Sequence, residues 1–168
     1  MIEDKNLEFF TEKFVPHFND WIFNKIDRYV ISDDALIGFI FMSCVIDYLA
    51  GFWWGEDTKG QVKMAYTGFI NEYFPIGKYE ANDLYDSLRN GLVHKFTIQK
   101  KRYALTHNHP DLHLEIRKSQ LILNANDFAQ DLHEAASRYF SDVEQHPELL
   151  KKFMNRFERD GFLFITKI

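Results

Sequence analysis

The sequence predicts a mainly α-helical protein: an up-and-down helical bundle with a small antiparallel β-sheet inserted before its closing helices. Apolar residues recur at three- and four-residue spacings over most of the 168 residues, as they do on one face of a helix. Between about residues 96 and 123 the pattern changes to alternating polar and apolar residues, which is typical of strands. The length fits a single domain, residues 1–168, because domains hold roughly 100–200 residues.

Two long helices are predicted at the start of the chain. Residues 5–28 carry one apolar stripe, and Pro16 is expected to kink this helix or to split it in two. Ser32 is the expected N-cap of the second helix, whose apolar run extends to residue 54. That run is nearly long enough to cross a bilayer, but Asp47 interrupts it and no basic residue flanks it closely. We therefore expect a central core helix rather than a membrane span.

Two shorter helices and a group of strands follow. The third helix covers roughly residues 61–74, where a proline follows, and the fourth covers about 79–93. Residues 102–107 and 112–117 alternate polar and apolar side chains, and the turn sequence between them predicts a hairpin. Residues 119–123 are the candidate for a third strand.

Two helices close the predicted bundle. Asn126 is the expected N-cap of a long helix over about 127–145. A proline in first position favours a further helix over 147–159, which Gly161 is expected to end. Residues 162–168 are predicted to form a short strand or an ordered tail.

The composition indicates a cytoplasmic protein with an aromatic core. Phenylalanine is abundant, with 17 copies. The single cysteine, Cys44, excludes an internal disulfide, and its apolar surroundings predict a buried, inert thiol. The N-terminus is charged and no short apolar leader follows it. The net charge of −5 is not the footprint of a general nucleic-acid binder.

The strongest functional signal is the segment 89–94, RNGLVH, at the end of the fourth predicted helix. An arginine holds a phosphate through two parallel hydrogen bonds, and a histidine transfers protons near neutral pH. The alternative interpretation is that Arg89 is a surface ion-pair residue and that His94 is a helix-end residue near the C-terminal partial charge of the helix. In a regular α-helix, residues five apart lie about 140° around the axis from each other. Arg89 and His94 would therefore converge only if the helix ended near Gly91 or if a partner subunit completed the site.

Asp47 is the second candidate residue, because it is the one charged residue between residues 35 and 54. Burying a carboxylate without a partner is costly, so a partner is expected. The sharper hypothesis is that Asp47 pairs with Arg89 and positions its guanidinium. Alternatively, Asp47 faces solvent at a gap between helices or bonds an aromatic hydroxyl such as that of Tyr48 or Tyr85.

Three histidines, His107, His109 and His113, lie close together with Asp111 among them. Imidazoles and a carboxylate are zinc ligands. In the predicted hairpin, however, His107 and His113 fall near opposite faces and His109 lies in the turn. A solvated hairpin tip is therefore the expectation, with no metal and no cofactor.

Basic residues are concentrated after the motif. Between residues 95 and 118 there are six basic residues and two acidic ones. Such a patch attracts a phosphate backbone, so the candidate nucleic-acid-binding residues are Lys95, Lys100, Lys101 and Arg102. The alternative is a solvated strand edge whose lysines prevent edge-to-edge aggregation.

A helical bundle with Arg89-Asn90 followed by His94 resembles the HEPN family (higher eukaryotes and prokaryotes nucleotide-binding domain). The signature of that family is an arginine, usually followed by a polar residue, with a histidine four to six residues further on. The segment LYDSLRNGLVHKF also resembles an uncharacterised bacterial branch of HEPN-like proteins, in which a β insertion and a closing helix follow the motif. The resemblance covers roughly residues 32–145.

The resemblance implies a metal-independent endoribonuclease of a toxin–antitoxin or phage-defence type, with an antitoxin-like protein as a partner. It implies a homodimer with a shared cleft, in which a 2′-hydroxyl of RNA attacks its own phosphate. Arg89 would bind that phosphate, His94 would transfer the proton, and Asn90 would orient the phosphate or His94. The alternatives are a non-catalytic dimeric HEPN-like module that binds a nucleotide, RNA or a partner protein, and a bundle that keeps the motif for packing alone.

Overall fold

The computed structural model describes residues 2–31, 35–98 and 102–161. Within these ranges the chain forms six helices and one three-stranded mixed sheet. The prediction of a mainly helical protein with a small sheet before two closing helices is confirmed in these coarse terms. The proposed Ser32 N-cap and the predicted tail at residues 162–168 lie outside the described ranges.

Helix α1 runs through residues 2–31 without a break in helical backbone. Two π-helical stretches, Phe10–Phe14 and Asn19–Phe23, flank the α-helical turn Val15–Phe18 that contains Pro16. A proline ring crowds the carbonyl four residues earlier and offers no N–H. The i→i+5 bonding of a π-helix takes up the resulting mismatch. Of the two alternatives expected for Pro16, a kink or a split, the split is therefore wrong.

The other helices follow in chain order, with α4 comprising residues 81–95 as three consecutive segments. Their bounds are α2 Ala35–Trp54, α3 Val62–Tyr73, α4 Ala81–Leu84 with π-helical Tyr85–Leu92 and α-helical Val93–Lys95, α5 Ala125–Gln145, and α6 Pro147–Asp160. Helix α5 begins directly after Asn124, so the predicted cap at Asn126 is wrong. The Asn126 side chain instead accepts a hydrogen bond from the backbone N–H of Asn108, at 3.3 Å, which ties it to a neighbouring turn.

Helix α2 is the centre of the bundle and packs against each of the other five helices. Ten of its 20 residues are buried, among them Phe39, Met42, Ile46 and Leu49. By length and composition alone it is also the one described helix that would suffice to cross a membrane. In this fold about half of its apolar run is buried inside the bundle, whereas Leu36 and Ile37 near its start are exposed.

One aromatic cluster of the core joins side chains from the first, central and last helices. Phe14 of α1 packs edge-on against Phe153 of α6, with ring centroids 4.6 Å apart. Phe153 in turn stacks on Phe52 of α2 at 4.7 Å. Because burying an aromatic ring removes a large apolar surface from water, this cluster joins the first, central and last helices.

The sheet differs from the predicted antiparallel hairpin. Strand β1, Tyr103–Thr106, pairs in parallel with β3, Gln120–Asn124, and β2, Ile116–Arg117, pairs antiparallel with β3, which gives the order β1-β3-β2. The 3₁₀ turn Pro110–Leu112 carries the chain away from β1 before β2 begins. The 13 residues between β1 and β3 match the dozen or more that a parallel connection needs.

Candidate active site

Arg89 and His94 meet on one helix. Arg89 Nη1 lies 2.9 Å from His94 Nε2, although five positions separate the two residues. The cause is the backbone: Tyr85–Leu92 is π-helical, so its hydrogen bonds run from i to i+5 and bring residues five apart onto one face. The expectation that the pair would need a break near Gly91 or a second subunit is therefore wrong.

The helix that carries the motif ends immediately beyond it. Phe96 adopts a left-handed conformation, with φ of 52°, and its N–H donates to the carbonyl of Leu92 at 3.2 Å. The N–H of Thr97 donates to the carbonyl of Gly91 at the same distance. These bonds hold the last turn of α4 together, so His94 sits on ordered helix rather than on a loop.

Asp47 and Arg89 form an ion pair, which was the sharper of the two hypotheses for Asp47. Arg89 Nη2 donates to Asp47 Oδ2 at 3.1 Å, which joins α4 to the central helix α2. Asn90 accepts a bond from Arg89 Nη1 at 3.2 Å, and the ring of Tyr85 lies 5.6 Å from the guanidinium carbon. A ring face at that distance attracts a cation. Carboxylate, amide and ring together hold the guanidinium in one orientation.

The hydrogen bond from Arg89 defines the state of the His94 ring. An arginine N–H only donates, so His94 Nε2 must carry a lone pair in this arrangement, and the ring proton is on Nδ1. Such a nitrogen is able to accept a proton from a bound ligand that replaces the Arg89 contact. The side chain of His94 is exposed, so a ligand reaches it from solvent.

The two residues of the ion pair line a cleft of about 370 Å³ between α2, α3, α4 and α6. Its lining residues are Cys44, Asp47, Tyr48, Thr58, Val62, Ala65, Arg89 and Arg156. Arg156 places a second guanidinium in this cleft. Sequence reasoning missed it, because Arg156 is 67 positions from Arg89 and its i,i+4 pairing with Asp160 is typical of an ordinary surface helix.

The charge of Asp47 affects the pKa values of two neighbouring groups, the Cys44 thiol and the Tyr66 hydroxyl. Cys44 is exposed at the cleft, so the prediction of a buried thiol is wrong. Partial burial of the thiol and the charge of Asp47 nevertheless raise the pKa of Cys44, which disfavours the reactive thiolate. Tyr66 lies beneath, fully buried, and burial together with the charge of Asp47 raises the pKa of its hydroxyl.

The predicted nucleic-acid-binding residues are spread over several places. Lys95 is exposed one residue after His94, at the end of α4. Arg102 is ion-paired with Asp83 and lines a different cleft, beside Tyr103. Lys100 and Lys101 lie outside the described residues. Of the four candidates, Lys95 is therefore the described one that adjoins the motif.

The three histidines of the insertion have separate surroundings. His107 contacts the backbone carbonyl of Val30 through its ring, and the backbone N–H of His109 donates to the side chain of Asn124. The side chain of His113 is buried next to Tyr79. Within the described ranges, no group of three His, Cys, Asp or Glu side chains is arranged to hold a metal ion.

His113 belongs to a buried polar chain that the sequence did not reveal. The N–H of Asn124 donates to His113 Nδ1 at 3.1 Å, so the ring proton is on Nε2, which lies 3.0 Å from the Tyr79 hydroxyl. That hydroxyl donates to Asp131 Oδ2 at 2.5 Å, and Lys78 Nζ lies 3.6 Å from the other carboxylate oxygen. Burial raises the pKa of Asp131, but the nearby His113 ring, 3.8 Å away, and the hydrogen bond from Tyr79 outweigh it and hold that pKa below its ordinary value. The chain fastens the β insertion to helix α5.

Comparison with known protein families, with curated protein sequences and with solved structures finds no significant match to this chain. The relation to the HEPN family therefore stays a prediction from the motif and its setting.

Proposed function

We propose that the protein is a HEPN-like, metal-independent endoribonuclease whose centre is Arg89 and His94. The observation that carries this proposal is the 2.9 Å contact between Arg89 Nη1 and His94 Nε2 at the end of α4. It joins a permanent cation and a proton acceptor, the two groups that transfer of a phosphoryl group within RNA requires. The ion pair to Asp47 supports the proposal, because a catalytic cation needs a fixed position.

The proposed reaction breaks one bond of the RNA backbone and forms another. His94 Nε2 takes the proton of a ribose 2′-hydroxyl, and the 2′-oxygen attacks the adjacent phosphorus. Arg89 binds a non-bridging oxygen and stabilises the charge that develops there. The bond from phosphorus to the 5′-oxygen of the next nucleotide breaks, and that oxygen takes up a proton. The products carry a 2′,3′-cyclic phosphate and a 5′-hydroxyl.

Asn90 and Asp47 act as positioning residues in this proposal. Both accept hydrogen bonds from the Arg89 guanidinium, and neither needs to touch RNA to do so. A homodimer with the motif faces together is part of the same proposal. It is supported by Phe96, a large apolar side chain two residues after His94 that is 76% exposed.

A second candidate function is a non-catalytic module of the same kind that binds RNA, a nucleotide or a partner protein. Two observations favour it. The chain is acidic, with a net charge of −5. Three of the five N–H groups of the Arg89 guanidinium are also already engaged, by Asp47, Asn90 and His94, which leaves fewer donors for a reacting phosphate.

The test is cleavage of single-stranded RNA by the purified protein in the presence of a chelator. We expect Arg89→Ala to lower the rate by about 10²–10³-fold, as removal of an electrostatic stabiliser does. His94→Ala is expected to lower it by about 10²–10⁴-fold, the contribution of a general base. Matched controls are Arg117→Ala and His146→Ala, which alter exposed side chains outside the cleft. Cleavage that stops in chelator, or that survives both motif variants, would contradict the proposal. Binding without cleavage would favour the second function.

A further inference from the structure

We propose that Arg156 is a second phosphate-binding residue of the cleft, and that the ligand is a single RNA strand whose consecutive phosphates contact Arg89 and Arg156. The inference rests on the proposed function, since it takes Arg89 to bind one of those phosphates. It adds a substrate class: a strand with at least two phosphates, rather than a lone anion or a mononucleotide.

The central helix sets the spacing of the two guanidinium groups. Asp47 and Gly51 are four residues apart on α2 and therefore share one face, about 6 Å apart along the axis. Arg89 is bound at Asp47. The guanidinium of Arg156 lies over Gly51, where a side-chain Cβ would come within 3.3 Å of it. The two cations thus contact the central helix at positions one turn apart, a spacing on the scale of one nucleotide step along an extended strand.

Arg156 is held in place but keeps donors for a ligand. Its Nε lies 2.5 Å from Asp160 Oδ2, and its Nη1 donates to the carbonyl of Glu56 at 2.9 Å. A guanidinium has five N–H groups, so further donors remain without a partner among the residues that the structure describes. The side chain is only 18% exposed, which makes it a pre-oriented donor rather than a mobile surface charge.

The cleft also has the polarity and size of a site for a phosphate chain. Two arginines line it, and each has a carboxylate partner, Asp47 for Arg89 and Asp160 for Arg156. Tyr48 also lines the cleft, while its hydroxyl is buried away from solvent. A volume of about 370 Å³ exceeds what one phosphate fills.

The experiment compares ligands that differ by one phosphate. Uridine dinucleotide and trinucleotide with 2′-O-methyl groups, which cannot be cleaved through the 2′-oxygen, carry one and two phosphates. Titration calorimetry at low salt gives their affinities for the parent protein and for Arg89→Gln, Arg156→Gln and Arg159→Gln. Arg159 is the matched control, because it also donates to the Glu56 carbonyl and pairs with Asp160 but does not line the cleft.

We expect the parent to bind the trinucleotide about tenfold or more tightly than the dinucleotide, the gain from one charge-assisted contact. Arg156→Gln should abolish that gain and leave dinucleotide affinity unchanged, whereas Arg89→Gln weakens both ligands. The slope of log affinity against log salt for the trinucleotide should fall by about 0.7 in Arg156→Gln. Arg159→Gln should behave as the parent. If Arg156→Gln does not fold, Gly51→Ala displaces the same guanidinium and should reduce the trinucleotide gain alone.

Three outcomes would overturn the inference. The parent binds both ligands equally, Arg156→Gln weakens both equally, or Arg159→Gln has the same effect as Arg156→Gln. A parent that binds neither ligand refutes the proposed function as well. A trinucleotide gain that depends on Arg156, in a protein that cleaves no RNA, supports the inference and refutes only the ribonuclease.

Discussion

Removing one hydroxyl from the buried chain of His113, Tyr79 and Asp131 should destabilise the fold by a predictable amount. Tyr79 and Asp131 are 8% and 6% exposed, and the 2.5 Å bond between them has a charged acceptor. A hydrogen bond to a charged group contributes about 1.5–3 kcal/mol to the free energy of unfolding. For a chain of this size, 1 kcal/mol lowers Tm by about 2–4 °C. Tyr79→Phe should therefore lower Tm by about 3–12 °C.

The assay is thermal unfolding followed by circular dichroism, with Tyr139→Phe as the matched control. Tyr139 is also fully buried, but its hydroxyl has no hydrogen-bond partner among the described residues. Removing an unsatisfied hydroxyl is expected to leave Tm unchanged or to raise it. Equal Tm changes in the two variants would refute the argument that the Tyr79 bond stabilises the fold.

The same bond predicts how the difference depends on pH. The pKa of Asp131 is lower in the folded protein than its ordinary value, because the nearby His113 ring and the hydrogen bond from Tyr79 outweigh the effect of burial. A carboxylate with a depressed folded pKa stabilises the fold above its unfolded pKa, about 3.9, and loses that contribution as pH falls through the folded pKa. The Tm difference between parent and Tyr79→Phe should therefore be full at pH 7 and shrink below about pH 4. A difference that grows on acidification would contradict this.

Three further predictions concern the helices around the cleft. Gly51→Ala keeps every charge and gains up to about 1 kcal/mol of helix propensity, so Tm should stay the same or rise. RNA affinity should fall, because the added Cβ comes within 3.3 Å of the Arg156 guanidinium. A joint fall in Tm and affinity would count against this. Gly68→Ala would place a Cβ 2.6 Å from the Trp53 ring. Overpacking of this kind should lower the free energy of unfolding, measured in urea, by about 1–3 kcal/mol. An unchanged free energy of unfolding would show that the two helices separate freely there. Iodoacetamide should alkylate Cys44 slowly near neutral pH, because partial burial and the charge of Asp47 raise the pKa of its thiol. Saturating trinucleotide should slow the reaction further, since Cys44 lines the cleft. Equal rates with and without the trinucleotide would exclude a bound strand beside Cys44.

The helices were predictable because each is encoded locally. The 20-residue apolar run of α2 predicted a core helix, and its single charge predicted a partner on another element. That reasoning reached the pair of Asp47 and Arg89 across 42 positions, because a half-buried carboxylate restricts its choice of partner.

The strand pairing was not predictable from the same kind of evidence. Alternation tells which side chains share a face of a strand, but it does not tell which strand is the neighbour. The segments containing β1 and β2 both alternate, yet each pairs with β3 because the turn at Pro110–Leu112 leads the chain away. The pairing depends on contacts that no local pattern records.

The geometry of the candidate site was hidden for two further reasons. Periodicity of 3.6 residues assumes α-helical backbone, and nothing in the sequence indicated that Tyr85–Leu92 is π-helical. Arg156 reaches the cleft only because α6 packs on α2, so its role follows from tertiary packing. The motif therefore pointed to the pair of Arg89 and His94, and the fold was needed to find Arg156 at the same cleft.

The most direct measurement of the central claim is the chemistry of the RNA ends. The parent protein would be incubated in chelator with an RNA strand and with the same strand carrying a single 2′-deoxy sugar at the major cleavage position, and the products analysed by mass spectrometry. The account predicts 2′,3′-cyclic phosphate ends from the RNA and no cleavage at the deoxy position. Cleavage at the deoxy position would contradict it, as would products that carry a 5′-phosphate or no cleavage at all.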